Sequence, residues 1–199
     1  MSPASVRKPP AAMHDMELAA LAAAGDRSAF GELVRRHGSA VRALVRRMGG
    51  QPAMADDVAQ DAFLAAFERI GEFRGEGAFA AWVCRIAARL YVKRVRRRLD
   101  GAFTEEIEAE EGGGPGEGHT LAKIDLDGAL QALSPAERMC VSMCYGAGLT
   151  HVEMAEALGA PVGTVKSHVK RGLEKLRRRL GATPPPPRAS AEREGCGHV

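Results

Sequence analysis

The chain has 199 residues, 45% of them hydrophobic and 27% charged, a balance that fits a folded chain and excludes the collagen-like, low-complexity and multispanning membrane classes. Aromatic residues make up only 5%, which points to thin Ala/Leu/Val-rich cores of the helical kind, and the length admits one large or two small domains. The net charge of +3 sums 28 basic and 25 acidic residues, so its distribution along the chain is informative and its total is not.

The first residues, 1–13, are Pro/Ala-rich and lack periodicity, so a disordered tail is expected there. The longest apolar run, Leu18 to Ala24, is too short for a signal core or a membrane span, which predicts a cytoplasmic chain with no membrane insertion. Next, Phe30, Leu33, Val34, His37, Val41, Leu44, Val45 and Met48 recur at three-and-four spacing until Gly49-Gly50, predicting a long amphipathic helix. A second stripe, Met54, Val58, Ala62, Ala65, Ala66 and Phe67, predicts a helix up to Ile70 that leaves Asp56, Asp57, Gln60, Asp61 and Glu68 on other faces. A Gly/Phe-rich loop, Gly71 to Gly77, leads to a third helix with Phe79, Trp82, Val83, Ile86 and Leu90 on one face.

Three charge blocks follow. Arg85 to Arg98 contains seven bases and no acid, Leu99 to His119 contains seven acids and no Lys or Arg, and Val162 to Leu180 contains seven bases and one acid. Two cationic surfaces flanking an anionic linker suggest a polyanion touched in two places, and nucleic acid is the obvious one. The acidic segment includes Gly112-Gly113-Gly114-Pro115-Gly116, which no helix or strand interior tolerates, so 100–119 is predicted to be a flexible linker between domains spanning 14–99 and 120–181. After it, residues 182–199 begin with a proline run and are expected to be disordered.

The second domain marks its helix starts plainly. Ser134-Pro135-Ala136-Glu137 and Thr150-His151-Val152-Glu153 are capping boxes, the first with proline at the first helical position. A short helix from His151 to Leu158 stops at Gly159, and Pro161 permits a new start, which gives helix, tight turn, basic helix: a helix-turn-helix. Thr164, Lys166, Ser167, His168, Lys170 and Arg171 then lie on the early, solvent-facing turns that meet base edges and phosphates in a major groove. Lys/Arg on a surface helix is commonly just a solvated face, but here it coincides with caps and turn. Gly172 within this helix costs about 1 kcal/mol against alanine, and close packing is the one reason the sequence offers.

Catalysis finds no converging residues. Cys140 and Cys144 sit one helical turn apart among Met139, Val141 and Met143, which reads as a core stripe, and His14, His37, His119, His151 and His198 lack partners at ligand spacing. The four cysteines form no CxxC pair, so no disulfide framework, metal site or cofactor is expected.

Asp56-Asp57-Val58-Ala59-Gln60-Asp61-Ala62-Phe63-Leu64, then Phe79-Ala80-Ala81-Trp82-Val83 with Arg85-Ile86-Ala87, then Gly163-Thr164-Val165-Lys166-Ser167, occur in the order and approximate spacing found in sigma factors of the extracytoplasmic-function (ECF) group. The chain resembles that family from about Ala24 to Leu180. The resemblance implies an all-α protein of two small helical domains joined by the acidic linker, binding core RNA polymerase and promoter DNA. It implies that Asp56, Asp57, Gln60, Asp61 and Phe63 dock on the polymerase β′ coiled coil, where opposite potentials steer an interface. For the minus-ten element and strand melting it implies Phe73 and Arg74 in a base-capturing loop, with Arg85, Arg89, Lys93, Arg94, Arg96 and Arg97 on phosphates or duplex edges. The helix after Pro161 would read the minus-thirty-five element. An anti-sigma factor is an expected partner. Arg89 stands where asparagine is common, Lys93 where aspartate is common and His168 where arginine is common. Two other readings are a response-regulator-type helix-turn-helix protein, for which the N-terminal half lacks a receiver-like strand pattern, and a protein that sequesters a regulator without touching DNA.

Overall fold

The computed structural model describes residues 10–75, 77–98 and 126–181, and within them every regular element is helical. The proposed linker 100–119, the residues to 125 and the tail 182–199 lie outside the described residues. Helix α1 spans Asp15–Ala23, α2 Arg27–Arg47, α3 Pro52–Glu68 and α4 Phe79–Arg98. The second half contains α5 Leu126–Gln131, α6 Pro135–Val141, α7 His151–Leu158 and α8 Val162–Arg179.

Local chemistry explains the boundaries. Asp26 caps α2, its carboxylate accepting from the backbone N–H groups of Ser28 (2.9 Å) and Ala29 (3.1 Å). Both capping boxes form as the sequence predicts: Ser134 accepts from Glu137 N and Thr150 from Glu153 N, while each glutamate accepts from the cap residue's own N–H. Gly159 ends α7 in the left-handed conformation at φ 66°. Helix α6 does not stop where its α-helical hydrogen bonds end; it runs on through a π-turn over Ser142–Gly146, whose last bond is Ala147 N–H to Ser142 C=O at 3.2 Å.

In the N-terminal half α2, α3 and α4 pack on one another and α1 lies along α2. His37 and Arg36 of α2 fix α1 by meeting the Asp15 carboxylate at 2.7 and 2.9 Å. Arg36 also donates to the carbonyls of Met13 and Ala11, and Pro10–Ala12 form a short 3₁₀ turn. Residues 10–13 of the stretch expected to be a disordered tail are thus held against α2. In the C-terminal half α8 packs across α6 and α7. Gly172 sits at the α6 crossing, where an added Cβ would come within 2.7 Å of Val141 Cγ2, which supplies the packing reason for a glycine in mid-helix.

The two halves also pack on each other. A single apolar cluster runs from Leu18, Leu33 and Val45 through Val83 and Val92 to Met143, Met154 and Val165, all almost fully buried. Such side chains each stabilise the folded state by about 1.5–3 kcal/mol. Leu44 of α2 reaches the π-turn so closely that a Cβ on Gly146 would meet Leu44 Cδ1 at 2.6 Å.

Candidate nucleic-acid and polymerase interface

Four parts of the surface carry the residues singled out in the sequence. On α8, Lys166, Ser167, Lys170 and Arg171 are exposed and Thr164 is half-buried; Gly163, Thr164, Ser167, Lys170 and Arg171 line a shallow open groove. The Ser167 hydroxyl donates to the Gly163 carbonyl at 2.9 Å. His168 departs from the expected solvent-facing placement: it is 6% exposed, because it falls on the same face as Val165, Val169 and Leu176. Its Nδ1 lies 3.1 Å from Arg171 Nη2. Helix α8 is held from below by Glu137, a buried carboxylate that takes a 2.8 Å hydrogen bond from Lys175 Nζ. Burial opposes ionisation of Glu137, but the Lys175 ammonium and the Ser134 N–H outweigh it and leave the carboxyl below the usual glutamate range.

The α4 cations do not form a bare row. Arg85 donates to the Gly148 carbonyl (3.1 Å), Arg89 to Glu153 Oε1 (2.8 Å) and Arg96 to the Ala157 carbonyl (3.1 Å), so three of them engage α7 or the segment just before it. Arg94 turns to α3, with Asp61 at 2.6 Å and Asp57 at 3.6 Å. Lys93 and Arg97 remain exposed and, with Arg89 and Arg96, line a cleft of about 780 Å³ whose far wall carries Glu153 and Glu156. The hydrogen bond from Thr150 N–H, together with Thr150 Oγ1 and the charge of Arg89, holds the Glu153 carboxyl below its ordinary value.

In the 71–79 loop, Phe73 is half-buried, edge-on to Phe79 with ring centroids 5.3 Å apart and tilted against Trp82 at 5.5 Å, while Arg74 is exposed. Gly75 (φ 73°) and Gly77 (φ 105°) both have left-handed backbones, and Gly75 lies so close to Met16 that a Cβ would strike its sulfur.

On α3, Asp56, Asp57 and Gln60 are exposed and Asp61 is half-buried, Asp56 lying 3.7 Å from Arg42. Phe63 corrects the sequence reading: it is 6% exposed, stacked edge-on against Phe30 in the core, and so is not a surface contact. Its neighbour Leu64 is 57% exposed. The signal was present in the spacing, since Leu64 follows Asp57 by seven residues and Gln60 by four. Among the described residues no group of His, Cys, Asp and Glu could hold a metal ion, and no helix is long and apolar enough to cross a membrane. Burial pushes the Cys140 thiol up to about 12, so it is an inert core group.

These elements coincide with two family matches: sigma-70 region 2 over residues 33–99, from within α2 to just past α4, and sigma-70 region 4 over residues 129–178, from α5 to α8. The chain is 34% identical over 171 residues to the RNA polymerase sigma factor NccH of Alcaligenes xylosoxydans xylosoxydans, covering 81% of this chain and 92% of that one. It is 35% identical over 183 residues to the RNA polymerase sigma factor CnrH of Cupriavidus metallidurans, covering 84% and 95%. It is 30% identical over 170 residues to the ECF RNA polymerase sigma factor SigW of Bacillus subtilis, covering 78% and 91%. Among solved structures it is similar to CnrH in complex with the cytosolic domain of CnrY, at 29% identity and a TM-score of 0.46, covering 85% of this chain and 99% of that one. The chain belongs to the ECF group of the sigma-70 family, promoter-directing subunits of RNA polymerase. That membership disfavours both the response-regulator and the sequestration readings.

Proposed function

We propose that the two halves divide the promoter between them. The 14–99 half docks on the β′ coiled coil through Asp56, Asp57, Gln60 and Leu64, captures a non-template base at the 71–79 loop and grips the minus-ten region with the α4 cations. The 120–181 half reads the minus-thirty-five element with the exposed face of α8. The observation that carries this reading is the sorting of charge by helix: an acidic face on α3, cations along α4 and cations on the open side of α8. Arg85, Arg89 and Arg96 then exchange protein acceptors for phosphates, so promoter binding separates α4 from α7.

Kinship with CnrH, solved in complex with the cytosolic domain of CnrY, supports an anti-sigma factor as a further partner. The protein acts in the cytoplasm, where the polymerase is, and performs no chemistry of its own. Run-off transcription with core RNA polymerase on a genomic fragment library tests the whole reading. Discrete start sites that depend on the chain are expected; a chain that neither co-elutes with core enzyme nor yields a defined start overturns it.

A further inference from the structure

We propose that His168 is a positioning residue for Arg171, a buried neutral imidazole that holds the guanidinium at a fixed place on the duplex-facing side of α8. The inference rests on α8 being the helix that reads the upstream element. His168 is 6% exposed and packed beneath the helix, whereas Arg171, one turn further on, is exposed along the groove lined by Gly163, Thr164 and Lys170. The two side chains meet at Nη2 to Nδ1, 3.1 Å apart.

A guanidinium has donors only and keeps its charge throughout the physiological range, so Nδ1 must be the accepting nitrogen. That fixes the imidazole as neutral with its proton on Nε2. A protonated His168 would bring a second N–H and a second positive charge against Arg171, in a place where burial already disfavours the charge. A histidine here therefore gives up a direct cationic contact with DNA. In exchange, it ties down one corner of a flexible neighbour. The remaining N–H groups of the Arg171 fork stay available for a phosphate or the O6/N7 edge of a guanine. Ordering the side chain before the duplex arrives removes part of the entropy lost on binding.

The experiment uses the full chain reconstituted with core polymerase and, as probe, the strongest promoter fragment recovered by run-off, together with the same fragment carrying a scrambled upstream element. His168→Leu, which removes the acceptor and keeps an apolar side chain, should weaken binding to the intact fragment about tenfold and leave the scrambled one unchanged. His168→Asn, whose Oδ1 stands near the place of Nδ1, should restore most of the affinity. In an Arg171→Ala background His168→Leu should add no further loss. In the unaltered chain, ¹⁵N spectra of the imidazole should show Nδ1 unprotonated, with a resonance that moves in Arg171→Ala; this reading holds even if His168→Leu fails to fold. An Arg171→Ala effect that His168→Leu does not share, or losses that simply add in the double variant, overturn the inference and leave the α8 reading standing. Wild-type affinity in Arg171→Ala overturns both.

Discussion

Arg89 on α4 and Glu153 on α7 meet at 2.8 Å, and the same glutamate accepts from Thr150 N–H at 2.9 Å to cap its own helix. One carboxylate therefore serves both a helix start and the seam between the two halves. The two partners are not equivalent. Arg89 is about half exposed, and removing it should cost at most about 1 kcal/mol, the range of surface ion pairs. Glu153→Ala also deletes half of the capping box and should cost about 1–2 kcal/mol. Urea unfolding of the two variants should show that asymmetry, and equal losses would count against the dual role.

Gly172→Ala should destabilise the chain even though alanine is the better helix former by about 1 kcal/mol. The new methyl would lie 2.7 Å from Val141 Cγ2 and 3.5 Å from the Glu137 carbonyl, and both belong to a packed helix with no flexible end to swing aside. A net loss of about 1–2 kcal/mol is expected in thermal or urea unfolding. A raised midpoint would mean that α6 and α8 can move apart at low cost.

Stability of the C-terminal half should depend on acid through Glu137. Its folded-state pKa is depressed, so its contribution is fully present above the unfolded glutamate value and is lost as pH falls through the lower folded value. The wild-type chain should lose stability steeply below about pH 4.5, close to the unfolded glutamate value. Glu137→Gln should be less stable at neutral pH and flatter across that interval. Parallel curves for the two proteins, followed by tryptophan-independent circular dichroism, would remove Glu137 as the cause.

Asp57→Arg should abolish stable holoenzyme formation while the chain stays folded, since Asp57 is exposed and its 3.6 Å approach to Arg94 is supplemented by Asp61 at 2.6 Å. Leu64→Ser should weaken polymerase binding about tenfold by removing an exposed apolar contact. Phe63→Ala, by contrast, should lower stability by about 3–4 kcal/mol through a core cavity. Co-elution with core polymerase separates these outcomes.

Much of this architecture was legible in the residues because it is local. The boxes at Ser134 and Thr150, the glycine at 159 and the period of Phe30 to Met48 each act within one or two turns. Phe63 was placed on the surface although its spacing from Ala59 and Ala66 puts it on the buried face beside Phe30, because adjacent helical residues differ by about 100° and its neighbour Leu64 is the one that turns outward. His168 was misplaced for a related reason: its polarity suggested solvent, while its spacing from Val165 and Leu176 put it inside. The contacts of Arg85, Arg89 and Arg96 join residues more than 60 positions apart and follow from how the halves meet, which no window of sequence contains.

Gly159 turns the chain with a left-handed backbone, and a Cβ there would also lie 2.9 Å from Arg96 Nη2. The turn between α7 and α8 is thus shaped twice, once by its own dihedral angles and once by a side chain from the other half. Modules exchanged between relatives would inherit only one side of that fit. A hybrid joining this region 4 to a foreign region 2 will keep its bend, yet the fit of that turn against its neighbour depends on what the donor carries at position 96.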